Sequence, residues 1–168
     1  MKGLLFALML LVPVAAQAAT TEEIFAVYAR GDYEQAAKLG EAAHTAQGYA
    51  IAARAVLADE VLRDKPCMSC LLRAEKLSRA AIAADPREPY GKIWLAVSLG
   101  YQSRLLGTIR ARIKDTPNQS KTALDEAYLI DPTNPYAISA LGGWHIEVVR
   151  AGGAFLAKHV YAATEADG

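Results

Sequence analysis

The sequence has little net charge and no dense run of one sign. Its 18 lysines and arginines balance 18 aspartates and glutamates. A nucleic-acid partner requires concentrated positive charge, because phosphate contacts supply much of that affinity. The nearest basic cluster is Arg104, Arg110, Arg112 and Lys114. It falls late in a predicted helix, where cations favour the negative end of the helix dipole. We therefore expect no nucleic-acid partner.

Cysteine and histidine are also scarce, with two and three copies. Zinc takes about four protein ligands, and the three histidines are scattered, so the sequence predicts no metal site. It has no Ser-His-Asp spacing and no paired catalytic acids. Gly142-Gly143 and Gly152-Gly153 lie in or between predicted helices without a preceding strand, which is not the context of a dinucleotide site. We expect no catalytic residue and no cofactor.

A long apolar run is present only at the N-terminus. Met1 to Ala18 contains one cation, Lys2, then an apolar stretch from Leu4 to Val14, then Ala16-Gln17-Ala18. This pattern is typical of a cleavable secretory signal, and we expect cleavage before Ala19. The apolar run is shorter than the ~20 residues that cross a bilayer. The sequence therefore predicts an exported, periplasmic protein with no stable membrane span after cleavage.

Residues 19–168 are enough for one domain of ordinary size with its own core. Alternation of apolar and polar residues, the mark of a β-strand, does not persist in this part of the sequence. Alanine is abundant and β-branched residues are scattered, which favours helix. The predicted fold class is all-α.

Spacing, capping residues and breakers predict eight helices. The first begins near Thr21, with Thr20 and Glu23 in capping-box spacing, and stops at Arg30. In the fifth, Gly100 and Gly107 lower the helix propensity, so a kink is one expectation. The other expected helices are Tyr33 to His44, Tyr49 to Arg63, Cys67 to Ala84, Pro89 to Lys114, Thr116-Pro117 through Ile130, Pro135 to Arg150, and Phe155 to Ala163.

One six-residue phrase occurs twice, 46 residues apart. It is Asp85-Pro86-Arg87-Glu88-Pro89-Tyr90 and then Asp131-Pro132-Thr133-Asn134-Pro135-Tyr136. A residue before proline resists the α conformation, so each phrase ends one helix and the second proline starts another. Repeated corners between amphipathic helices indicate an α-helical repeat protein.

Several segments resemble tetratricopeptide repeats. Ala29 to Ala36 is similar to the turn inside such a repeat, and the two Asp-Pro corners are similar to repeat boundaries. The order of Trp94-Leu95-Ala96-Val97, Ala123 to Ala127 and Leu141 to Val148 resembles the tetratricopeptide-like domain of the regulator of microtubule dynamics family and its bacterial relatives. The resemblance implies antiparallel helix pairs stacked as a short right-handed solenoid. The array is then either incomplete at its C-terminus or capped in an unusual way.

Cys67-Met68-Ser69-Cys70 is the one motif that favours an enzyme. At a helix N-terminus such a pair can act in thiol-disulfide exchange. No convincing strand precedes the motif, as it would in a thioredoxin-like enzyme. In an exported protein the pair is a candidate disulfide between Cys67 and Cys70, and redox chemistry, metal binding or a free pair are the alternatives.

Other polar candidates have structural interpretations. His145 and Glu147 are two positions apart on a helix and face different directions, so we expect His145 to be partly buried and hydrogen-bonded. Asp85 and Asp131 precede prolines and are corner residues. Aromatic residues are expected mostly in the core, with a minority exposed as binding anchors: Tyr28, Tyr33, Tyr49, Tyr90, Trp94, Tyr101, Tyr128, Tyr136 and Trp144.

The sequence as a whole favours a non-catalytic scaffold. It would bind a protein or peptide in a concave groove, through tyrosine and asparagine side chains of the inner helices. One alternative is a thiol-disulfide oxidoreductase, or its accessory, that uses Cys67 and Cys70. A second alternative is a structural assembly subunit, because the apolar end faces of short arrays favour self-association.

Overall fold

The computed structural model describes residues 18–65 and 67–168. The predicted signal sequence lies outside the described residues except for Ala18, so its cleavage stays a prediction. Within the described chain there are eight α-helices, one 3-10 helix and no strand. The helices are α1 Thr21–Ala29, α2 Tyr33–Ala43, α3 Ala46–Val61, α4 Met68–Ala84, α5 Pro89–Leu106, α6 Thr108–Ile113, α7 Thr116–Ile130 and α8 Pro135–Tyr161, followed by the 3-10 helix Glu165–Asp167. The all-α prediction is confirmed.

The helices pack in sequential pairs, as in a helical solenoid. Helix α1 packs on α2, α3 on α4, and α5 on α7 across the short α6. The first helix of each pair also contacts the first helix of the next one: α1 contacts α3, α3 contacts α5, and α5 contacts α8. We call the surface formed by α1, α3, α5 and α8 the first-helix face.

Alanine and glycine set the distance between helices in the first half of the core. Ala36, Ala37, Ala52 and Ala53 have no exposed surface. A Cβ on Gly40 in α2 would lie 2.4 Å from the carbonyl oxygen of Gly48 in α3. The small residues of α2 therefore bring the two backbones into direct contact.

The two Asp-Pro corners adopt the same hydrogen-bonded geometry. Asp85 Oδ1 accepts from the Arg87 N–H at 2.9 Å, and Asp131 Oδ1 accepts from the Thr133 N–H at 3.1 Å. A hydrogen bond from the Thr133 hydroxyl, together with the one from the Thr133 N–H, holds the pKa of Asp131 below its ordinary value. Both aspartates are corner residues, as their position before proline predicts.

Buried side chains then cap the helices that leave the corners. Glu88 Oε2 accepts from the Gly91 N–H at 2.9 Å at the start of α5, and Asn134 Oδ1 accepts from the Ala137 N–H at 3.3 Å at the start of α8. Each cap satisfies a backbone donor that a helix N-terminus leaves without a partner. The repeated phrase is therefore a repeated helix-corner-helix unit.

The predicted fifth helix was too long. Gly107 has a φ of 75°, which ends α5 at Leu106 and starts α6 in a new direction. Ile109 and Ile113, which lie within the predicted helix Pro89 to Lys114, are each 78% exposed. Apolar residues keep their helical spacing through the break, but the helix axis changes direction at Gly107.

Three smaller differences concern helix ends. Helix α3 begins at Ala46, three residues before the predicted Tyr49, because the Thr45 hydroxyl caps it by accepting from Gly48 N–H. Helix α7 begins at Thr116 itself, and Ile130, predicted to be buried, is 38% exposed. The predicted break at Gly152-Gly153 is a kink, because Gly153 has a φ of 77° between two helical stretches of α8.

Candidate binding surface on the first-helix face

One arginine lies among aromatic rings from three other helices. The guanidinium of Arg54 in α3 is 4.6 Å from the Tyr28 ring centre, 5.3 Å from that of Trp94 and 4.8 Å from that of Tyr136. Phe25 adds a fourth ring at 5.8 Å. We call these five residues the Arg54 cluster. Because its members come from α1, α3, α5 and α8, the cluster crosses the first-helix face.

The solenoid brings these side chains together from positions far apart in sequence. Arg54 Nη2 donates to the Tyr136 hydroxyl at 3.0 Å, across 82 residues. Tyr136 follows Pro135 at the start of α8, and its ring meets the Trp94 ring edge-on with 5.7 Å between centres. Tyr28 and Trp94 also pack against the core formed by α2, α3 and α4. The exposed parts of the cluster therefore rest on a packed base.

Arg54 has aromatic partners where other half-buried arginines have carboxylates. Arg73 pairs with Glu41 at 3.0 Å, and Arg104 pairs with Glu147 at 2.9 Å. No ion pair within residues 18–65 and 67–168 includes Arg54. Guanidinium groups stack favourably on aromatic faces and still offer N–H donors at their edges. The cluster can thus offer flat apolar contacts together with hydrogen-bond donors.

Further along α5 and α8, two arginines converge on one glutamate. Arg104 in α5 and Arg150 in α8 both contact the Glu147 carboxylate, at 2.9 and 2.7 Å. The hydrogen bond from Arg150, with the contribution of Arg104, outweighs burial and lowers the pKa of Glu147. Glu147 stays ionised, and this ion pair network links the two helices.

Sequence patterns did not predict the Arg54 cluster. The tyrosines and Trp94 were candidates, but Arg54 was not. Ile51 and Ala58 are apolar and lie three and four residues from Arg54, on the same face of α3. A cation on such an apolar face is the signal that could have singled it out. The other aromatic candidates divide as expected, with Trp144 buried and Tyr128 42% exposed.

The Cys67-Cys70 pair lies outside the first-helix face at the start of α4. The two residues are joined by a disulfide, with Cα atoms 5.2 Å apart. Cys67 Sγ accepts from the Cys70 N–H, and Cys67 N–H donates to Glu60 Oε1 at 2.6 Å. Glu60 and both sulfurs offer atoms within 4.8 Å of one another. Sulfurs joined in a disulfide are not thiolates, the form that attacks disulfides and binds metal.

His145 packs against the C-terminal segment, with its Nδ1 4.0 Å from Asp167 Oδ2. Its Nδ1 accepts from the Thr164 N–H at 3.3 Å, and its ring lies edge-on to Trp144 at 5.1 Å. Its contacts are those of a histidine packed between α8 and the C-terminal segment. Glu147 points elsewhere, toward Arg104 and Arg150.

Comparison with known proteins gives one family. A family model described as regulator of microtubule dynamics protein 1-3 matches residues 47–163. No curated protein matches the chain. No solved structure matches it. Among the described helices, none combines the length and apolarity needed to cross a membrane.

Proposed function

Because this chain belongs to the regulator of microtubule dynamics protein 1-3 family, we propose that it is a helical scaffold that binds a protein or peptide partner on its first-helix face. The scaffold works without bond chemistry. We further propose that it is exported to the periplasm, on the strength of the signal pattern at Met1 to Ala18. Microtubule binding is not extended to it, because an exported protein need not meet a microtubule.

The Arg54 cluster is the observation that most supports partner binding. Solenoids use the continuous surface of their repeats to hold extended partners. Tyrosine, tryptophan and arginine are the residues that most often supply binding energy at protein interfaces. Here all three types occur together, with Phe25 46% exposed and Tyr136 38% exposed. The cluster provides anchors that are already held in place by the core.

The thiol-disulfide alternative has less support. The segment before Cys67 is helix α3 and a short loop, where a thioredoxin-like enzyme has a strand. The pair also lies apart from the Arg54 cluster, at the start of a second helix of a repeat. A scaffold in which Cys67 and Cys70 form a local structural disulfide accounts for the same residues.

A capture experiment with paired tyrosine variants tests the proposal. Wild-type protein, Tyr136→Ser and Tyr128→Ser are used as baits in a periplasmic extract, and bound proteins are identified by mass spectrometry. Tyr136 belongs to the Arg54 cluster, whereas Tyr128 is in α7 and is similarly exposed, at 38% and 42%. A partner of the first-helix face is recovered with wild type and Tyr128→Ser and is reduced about tenfold or more with Tyr136→Ser.

Two results would count against the proposal. One is equal recovery with Tyr136→Ser and wild type, which would contradict the first-helix face as the binding surface. The other is recovery of the chain alone, with a dimer or larger species by light scattering, which would favour the assembly subunit. Circular dichroism of both variants controls for unfolding.

A further inference from the structure

Helices α5 and α8 bound a cavity at the other end of the first-helix face from the Arg54 cluster. Its volume is 540 Å³, and α7 contributes to its wall. Ligand sites in proteins have volumes of about 300–1,000 Å³, and this cavity is half open to solvent. The wall is mostly apolar and includes Val97, Leu124, Ala140, Trp144, Val148 and Leu156.

Two helical glycines line this cavity without a packing reason. A Cβ on Gly100 in α5 or on Gly143 in α8 would have no neighbour within 4 Å. At Gly40, Gly48 and Gly91, by contrast, a Cβ would come within 3 Å of another atom. Glycine inside a helix is less stable than alanine, so Gly100 and Gly143 weaken their helices with no contact to explain it. Both positions line the cavity and leave open space where a side chain would begin.

The charged residues of the cavity wall carry a net positive charge. Arg104, Glu147 and Arg150 are the charged groups among its described lining residues. The two arginines share one carboxylate, and all three side chains are between about a third and two thirds exposed, at 48%, 34% and 63%. Arginine can bind a second carboxylate through donors that the first leaves free.

The serine and threonine hydroxyls of the wall already have hydrogen-bond partners. Ser120 donates to the Ala96 carbonyl at 3.0 Å, and Thr108 donates to the Ala151 carbonyl at 3.3 Å. Apart from the arginines, the polar side-chain groups left to orient a ligand are the hydroxyls of Tyr101 and Tyr161. Its chemistry favours an apolar molecule with one anionic end.

We propose that this cavity is a binding site for a small apolar monocarboxylate. The apolar body lies between Gly100 and Gly143 against Trp144, and the carboxylate pairs with Arg104 and Arg150. This site is distinct from the Arg54 cluster and does not depend on the proposed partner. Either an aliphatic or an aromatic acid would fit this description.

Isothermal titration calorimetry with two acids tests the site. Dodecanoate and naphthoate serve as the aliphatic and aromatic probes, and dodecanol is the uncharged match for dodecanoate. We expect one equivalent of at least one acid to bind to wild-type protein, more tightly than dodecanol. The acid that binds shows whether the cavity accepts an aliphatic or an aromatic hydrocarbon group. Failure of both acids to bind would overturn the proposal.

Filling the cavity should abolish binding without unfolding the protein. Gly100→Leu and Gly143→Leu place side chains in the open space and should lower the affinity for the acid about tenfold or more. Ala42→Leu, an enlargement at an exposed position of α2, should leave the affinity unchanged. Gly100→Ala and Gly143→Ala should melt no lower than wild type, which separates blocked binding from lost structure. Unchanged affinity in both leucine variants would refute the site.

Charge variants should act in opposite directions. Arg104→Gln removes a partner of the ligand's carboxylate and should lower the affinity for the acid severalfold. Glu147→Gln removes the carboxylate that competes for the arginines and should raise this affinity. Neither change should alter dodecanol binding. Arg79→Gln, which breaks an exposed ion pair with Glu75 on α4, is the matched control. Equal effects of Arg104→Gln and Arg79→Gln would contradict the assigned position of the carboxylate.

Discussion

At the scale of single residues, glycines in this chain have two opposite effects on stability. Gly40 permits contact between α2 and α3, with the Gly48 carbonyl oxygen 2.4 Å from where its Cβ would be. Gly100 makes no such contact. We expect Gly40→Ala to lower the free energy of unfolding by about 1–3 kcal/mol because the helices must separate. Gly100→Ala should raise it by up to about 1 kcal/mol through helix propensity.

Urea unfolding of the two variants measures this difference. The slope of the transition should stay that of wild type, so that a shifted midpoint reports stability. A Gly40→Ala protein as stable as wild type would mean that α2 and α3 do not approach as closely as the structure has them.

The pKa of Glu147 predicts how acid acts on the α5-α8 contact. Hydrogen bonds from Arg150 and Arg104 lower this pKa from its ordinary 4.5, so the folded chain binds this proton less readily than the unfolded chain. Its stabilisation is present above 4.5 and is lost as the pH falls through the lowered value. Glu147→Gln should therefore flatten the loss of stability in acid, measured as unfolding free energy against pH.

Glu88 provides a control of opposite sign. Burial raises its pKa above 4.5, more than the hydrogen bond from the Gly91 N–H lowers it. Its contribution is fully present below 4.5 and is lost as the pH rises through the raised value. Glu88→Gln should remove that decrease in unfolding free energy at rising pH. It should leave the loss of stability at acid pH unchanged. The same change in both variants would show that neither carboxylate sets the profile.

At the scale of elements, the Cys67-Cys70 disulfide closes only one turn at the start of α4. A cross-link across so short a loop restricts the unfolded chain little. Serine at position 67 can also cap the helix in place of the sulfur. We expect the Cys67→Ser and Cys70→Ser double variant to change the free energy of unfolding by less than about 1 kcal/mol and to keep partner binding.

Thiol titration completes this prediction. Wild-type protein should show no free thiol before reduction and two after it, from the two cysteines of the sequence. Disulfide reductase or isomerase activity that disappears in the double variant would reverse the interpretation and favour the oxidoreductase.

Local sequence signals predicted most helices. They failed where a helix boundary does not depend on proline or a capping side chain nearby. The corners at Asp85 and Asp131 were predictable because proline and a capping side chain act within a few residues. The break at Gly107 was expected at most as a kink, since the apolar spacing continues to Ile113. A positive φ at one glycine changes the direction of the chain without leaving a mark on that spacing.

At the scale of the whole molecule, the proposed signal sequence predicts a cleavage site before Ala19. Mass spectrometry of the protein recovered from the periplasm should show Ala19 or Thr20 as its first residue. Thr20 caps α1 and its backbone N–H donates to Glu23, so cleavage before Ala19 leaves this capping box whole. Intact protein that still begins at Met1 would remove the proposed export.

The candidate sites were less predictable than the helices. The aromatic candidates included Tyr28, Trp94 and Tyr136, but nothing in their spacing placed them around Arg54. The cavity between α5 and α8 was not predicted, and Gly100 was noted only for its low helix propensity. Both features depend on where separate helices lie relative to one another, and periodicity describes one helix at a time.

By itself the sequence determined the all-α class, the two equivalent corners and the starts of most helices. These depend on contacts within a few residues, such as Asn134 with the amides of Tyr136 and Ala137. The tertiary structure decided which side chains meet. It placed Arg54 against Tyr136, 82 residues away, and opened a 540 Å³ cavity beside Gly100 and Gly143. Stacking distance and helix direction are collective properties of the packed core, so no local pattern encodes them.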